Sequence, residues 1–191
     1  MTVDEKIIHD TFKNNGAVCG IKIRCPELLG AKCSKKMNAF FDELCRDFTA
    51  LAKKKGGDGD IFSLDFVSAY SNDSLCSIFF EKSVKNGRYV TAYTPFSVTF
   101  LQKNGVFIPL YRADASFSNH FYEVKKKAKK HGLSLSFSEF SRCYYLNENG
   151  AVIYKSVFIP GKEIRKTSEC VRKFYISSDE SSPSLCNTET K

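Results

Sequence analysis

The chain has 191 residues, of which 42% are hydrophobic, 26% charged and 14% aromatic, with a formal net charge of +8. That length and balance fit a single globular domain able to bury a core, and they exclude wholesale disorder. The opening MTVDEKIIHDTFKNN lacks the apolar region of a secretory signal, and no stretch approaches the ~20 apolar residues needed to span a bilayer, so a cytoplasmic location is expected.

Residues 1–16 read as a weakly structured segment with one short helical turn around Glu5 to Phe12, and the domain proper is expected over 17–176. Ala17 to Cys25 has strand character and Pro26 is expected to stop it. In the next stretch Met37, Phe40, Phe41, Leu44, Cys45, Phe48, Leu51 and Ala52 recur at steps of three and four, which predicts an amphipathic helix. Ser34 is placed to cap it and Gly56-Gly57 to end it.

From Ile61 the period falls to two, with Phe62, Leu64 and Phe66 alternating with polar residues. Turns at Ser71-Asn72-Asp73, Lys85-Asn86-Gly87 and Lys103-Asn104-Gly105 separate apolar runs and predict an antiparallel meander that includes Leu75 to Val84, Arg88 to Leu101 and Val106 to Leu110. Ser116 to His131 returns to helical spacing, and Gly132 ends it. Ser141 to Leu146 and Ala151 to Ile159 form the arms of a further hairpin around Asn147-Glu148-Asn149-Gly150. A short strand at Phe174 to Ile176 precedes a Ser-rich tail, 177–191, expected to be disordered. The whole reads as α+β: an antiparallel meander sheet with two amphipathic helices packed on one face.

Chemistry is sparse. The eight cysteines are expected as free thiols in a reducing compartment, and Cys19, Cys25 and Cys33 are too widely spaced for a zinc signature. Cys45 and Cys76 fall on apolar faces and read as core residues. His9, His120 and His131 lie in no recognisable catalytic loop, so no catalytic residue, metal or cofactor is assigned and the chain is not expected to be an enzyme. The positive charge concentrates in Lys53-Lys54-Lys55 and Lys125-Lys126-Lys127-Ala128-Lys129-Lys130, each at an expected helix end where the dipole favours cations. The alternative reading of these runs is a surface for nucleic acid or another polyanion, with Tyr89, Tyr93, Tyr144, Tyr145 and Tyr154 as stacking groups.

Three stretches share a family pattern: IRCPELLGAKCSKKMNAFFDEL, with Asn38 near the helix start; LCSIFFEKSVKNGRYVTAYTPFSVTFLQKNGVFIPLYRA; and FSEFSRCYYLNENGAVIYKSVFIPGKEI. Together they resemble the domain of unknown function found in the extracytoplasmic part of RsiV-type anti-sigma factors and beside some polysaccharide deacetylase domains. The resemblance implies a non-catalytic binding or sensing module whose ligand is a protein or an envelope-related molecule. In the anti-sigma members of that family the domain recognises lysozyme, but relatives commonly carry Gly-Gly-Ala-His where this chain has Val90-Thr91-Ala92-Tyr93, so lysozyme binding is not transferred. The loops singled out for ligand binding are Tyr93, Thr94, Pro95 and Phe96, then Tyr111 and Arg112, with Asn147 and Asn149 beside them.

Overall fold

The structure is a computed structural model that describes residues 2–30, 33–113 and 115–177. It is α+β, as expected, but contains two sheets. The first holds β1 (Thr2–Asn14), β2 (Ala17–Leu29), β3 (Asp60–Ser71), β4 (Leu75–Asn86) and β5 (Tyr89–Leu101), in that spatial order. The second holds β6 (Tyr144–Asn147), β7 (Gly150–Ser156) and β8 (Val171–Ser177).

The N-terminal segment is not a weakly structured leader: β1 pairs antiparallel with β2 over its whole length. Asn15 at φ 49° and Gly16 at φ 87° make the tight turn that this pairing needs. The cue was an Asn-Gly pair of the same kind that marks the later hairpins. Nor does Pro26 end β2, which runs on opposite Glu5. Beyond Arg24 the strand has no β3 partner, so a proline there interrupts one ladder at most.

Helix α1 (Ser34–Lys55) carries the chain from the end of β2 back to the start of β3, so those two strands lie parallel and the sheet is mixed. Cys33, not Ser34, is the N-cap, and no side chain caps the helix there. Met37, Phe41, Cys45, Phe48 and Ala52 are buried along one stripe against Ile21, Ile23, Leu64, Ile78, Phe80 and Phe100. Each large side chain so buried is worth roughly 1.5–3 kcal/mol. Asn38 fastens the first turn to the sheet edge, accepting from the Leu28 N–H at 2.9 Å and donating to the Leu28 carbonyl at 3.0 Å.

The expected strand at 106–110 is reduced to one bridge, Phe100 to Phe107, before Pro109 turns the chain into α2 (Leu110–Ala113). The second long helix is a 3-10 turn, Ala115–His120, followed by α3 (Phe121–Lys130). Helices α1 and α3 do not share a face. Phe117, Val124 and Ala128 pack instead on the second sheet, against Tyr144, Leu146, Ile153, Phe174 and Ile176. Two sheets offer two outer faces, and each helix covers one of them.

Residues 137–142, the first part of which was assigned no element and the last part a strand, form α4 (Phe137–Arg142). Ser136 and Glu139 make a reciprocal capping box, with the Ser136 hydroxyl accepting from the Glu139 N–H and the Glu139 carboxylate accepting from the Ser136 N–H. Lys155 of β7 donates to the same carboxylate, and these bonds hold Glu139 below the usual carboxylate range. Of the expected tail, Ser177 closes β8 and the rest lies outside the described residues.

The sheets meet between β4/β5 and β6. Phe79 stacks on Tyr145 at 4.7 Å between centroids and lies 4.8 Å from Tyr154. Beside these rings Ser77, buried completely, contacts the Thr99 hydroxyl at 2.7 Å and accepts from the Leu146 N–H at 2.9 Å. Ser97 donates to the Tyr144 carbonyl. These hydroxyls take up the main-chain groups on the free edge of β6.

Three outcomes follow. Ser77→Ala strands the Leu146 amide in a dry interface and is expected to lower unfolding free energy by about 1–3 kcal/mol in urea titrations. Ser136→Ala is expected to cost about 1 kcal/mol. Because the folded Glu139 carboxyl titrates low, its stabilisation is present above its unfolded pKa and lost as pH falls through the folded one; a Glu139→Gln variant should show a shallower loss of stability on acidification.

Candidate functional site

Where β5, residues 107–109, α4 and the start of β6 converge, they enclose a groove of about 640 Å³. Phe107, Tyr111 and Phe137 stand around it, each 46–48% exposed. The Phe107 ring is anchored edge-on against Phe40 of α1 at 5.2 Å. At the base Tyr144 donates its hydroxyl to the Ile108 carbonyl at 2.9 Å, and burial pushes that phenol up to about 12. Ser97, Ser138 and Ser141 add hydroxyls. Arg142 is exposed at the rim and makes no ion pair among the described residues.

One wall of the groove is the outer edge of β5, the last strand of its sheet. The Ile108 N–H donates to the Thr99 carbonyl at 2.9 Å and the Leu101 N–H to the Val106 carbonyl at 3.0 Å, so the main chains of Thr99 and Leu101 face outward. Alternation then turns those of Ser97, Pro95 and Tyr93 outward too. Further along, the Val90 N–H donates to the Ile164 carbonyl. Among the described residues, no main-chain partner covers the edge between Tyr93 and Ser97. Pro95 sits in the middle of that gap, where its missing N–H costs nothing internally and blunts the edge toward other chains.

The eight residues singled out from sequence do not form one site. Tyr111 lines the groove, and Arg112 lies beside it with its guanidinium 6.0 Å from the Tyr111 ring. Phe96 faces α1, stacked on Phe80 at 4.8 Å and capped by Lys82. Thr94 is exposed mid-strand and Pro95 lies at the edge. Asn147 and Asn149 build the β6–β7 turn, the Asn149 N–H donating to Asn147 Oδ1 at 3.0 Å. Tyr93 is buried between the sheets with Phe79, Tyr145 and Tyr154. Its hydroxyl has no hydrogen bond among the described residues, and burial, with the Glu81 carboxylate next, raises its pKa. Phe107, Ser97, Phe137 and Arg142 were missed; the signal that could have placed the last two on one helix was the Ser136/Glu139 capping box.

The two lysine runs end α1 and α3, whose helices cover different sheets. Cys25 and Cys45 are both buried under α1, where the Cys25 thiol donates to the Phe41 carbonyl at 3.9 Å, and the interaction between the two thiols raises the pKa of the first and lowers that of the second. Among the described residues no cluster of His, Cys, Asp and Glu is arranged to hold a metal, and no helix is long and apolar enough to cross a membrane.

No family model matches the sequence, and comparison with characterised proteins finds no match. Among solved structures, a DUF3298 family protein from Pseudomonas aeruginosa PAO1 is similar in fold, with a TM-score of 0.56 at 8% identity over 90% of this chain and 88% of that one. A member of the same family from Bacteroides fragilis aligns with a TM-score of 0.47 at 10% identity, over 92% and 90% of the two chains. The solved neighbours thus belong to a domain-of-unknown-function family, and the likeness to the first is one of fold.

The unpartnered Tyr93 hydroxyl sets an expectation opposite to that for Ser77. Tyr93→Phe removes a buried polar atom without breaking a bond, so thermal unfolding should show no loss of stability and a gain of up to about 1 kcal/mol.

Proposed function

We propose that the chain is a non-catalytic binding or sensing module, of the RsiV-like kind that its sequence resembles, and that it receives a protein ligand in the groove beside β5. The observation that carries this reading is the groove's lining. Three half-exposed aromatic rings supply apolar contact, while among the described residues its only ionisable groups are Arg142, Tyr111 and Tyr144. Binding sites combine such apolar walls with a few orienting polar groups. General acid-base catalysis calls instead for a group titrating near the working pH. The seven described cysteines are all free, which supports action in the cytoplasm or another reducing compartment.

The test uses indole as an aromatic probe, titrated into isotope-labelled protein and followed by NMR. Shifts should cluster on Phe107, Ile108, Tyr111, Phe137 and Arg142, and Tyr111→Ala should weaken binding about fivefold, a contact worth about 1 kcal/mol. Shifts scattered over the surface would sink the reading. Heparin retention that falls steeply with salt, without any change at the groove, would favour the lysine runs as the binding surface instead.

A further inference from the structure

The open edge of β5 narrows the kind of ligand. Resting on the groove reading above, we infer that the ligand is an extended, acidic segment of a partner protein, which adds itself to the edge of β5 as a further strand. Three observations point to the same occupant. First, the outward main chain of Ser97 offers both a donor and an acceptor, and Pro95 and Tyr93 continue the row with carbonyls and one more N–H. Only an extended backbone presents its own groups at the matching spacing. Secondly, Ser97 is also where the edge runs into the groove, so a strand laid along it delivers a side chain between Phe107, Tyr111 and Phe137. Thirdly, Arg142 stands at that rim with no carboxylate partner among the described residues, on a chain of net charge +8. An Asp or Glu on the incoming segment supplies the missing charge, and a guanidinium can hold it with two parallel bonds.

Pro95 sets the limits of this pairing. It withholds one donor in the middle of the open stretch, so indiscriminate strand addition is penalised. A segment that also fills the groove and meets Arg142 recovers that loss. The edge alone is a poor template, and the combination is selective.

The experiment selects from a displayed library of short, random linear peptides on the immobilised full chain. Selected sequences are expected to alternate apolar and polar residues and to carry an aromatic or aliphatic residue near an acid. Bound to labelled protein, they should shift the Ser97 and Tyr93 amides. Methylating the peptide nitrogens that face β5 should weaken binding at least about tenfold, the equivalent of ~1.4 kcal/mol. Arg142→Gln should weaken an acidic peptide about tenfold and leave its Gln analogue unchanged. Peptides with helical spacing, peptides indifferent to methylation, or acidic peptides indifferent to Arg142→Gln would overturn the inference. If indole shifts the groove while no peptide is selected, strand addition falls and the binding reading stands; if neither binds, both fall.

Discussion

The junction between the edge of β6 and the face of β4/β5 is the constraint on which the architecture turns. A strand edge is a row of unpaired N–H and C=O groups, and burying it against apolar side chains costs about 1–3 kcal/mol for each orphaned group. Here the Leu146 amide and the Tyr144 carbonyl meet Ser77 and Ser97, and Thr99 completes the set. Small hydroxyl residues suit this place because they let the backbone come close and still satisfy it. Larger polar side chains would hold the sheets apart and separate Phe79 from Tyr145 and Tyr154.

Once that junction exists, β4 has to be apolar on both faces. Cys76, Ile78 and Phe80 point to α1, while Ser77 and Phe79 point to the second sheet, and residues 75–80 are all buried. Strands covered on both sides lose the alternation that marks a half-exposed sheet. The second sheet is in the same position, with Tyr145, Val152 and Tyr154 facing inward and Tyr144, Leu146 and Ile153 facing α3. The molecule is therefore layered as helix, sheet, sheet, helix.

This explains what could be read in the sequence. The stripe on α1 and the strands of β3 to β7 follow from local period and turn chemistry, and they fall close to where those signals put them. The split into two sheets does not, because it depends on which apolar face meets which, a relation between residues such as Phe79 and Tyr145 that lie far apart in the chain. Two local signals were present and outweighed: the Asn15-Gly16 turn behind a strand of mixed polarity, and the Ser136/Glu139 box ahead of Phe140. The candidate site was harder still. Tyr111 was exposed by its position in a loop, whereas Phe107, Phe137 and Arg142 become neighbours only after 106–110 abandons the meander and α4 forms.

The hairpin of residues 142–160 then has two roles on its two sides. Val152 and Tyr154 help to cement the sheets, and the Asn147 to Gly150 turn sets their register without contributing to the groove. Its first arm, from Arg142 to Tyr144, is different: it leaves α4 at the rim and enters the junction through Tyr144, whose hydroxyl holds the Ile108 carbonyl and whose own carbonyl is held by Ser97. The groove is thus walled by the same bonds that join the sheets. Its shape is pre-organised by the core, with the Phe107 ring set against Phe40 and the Phe137 ring against Phe121, so a ligand meets little ordering cost in the protein.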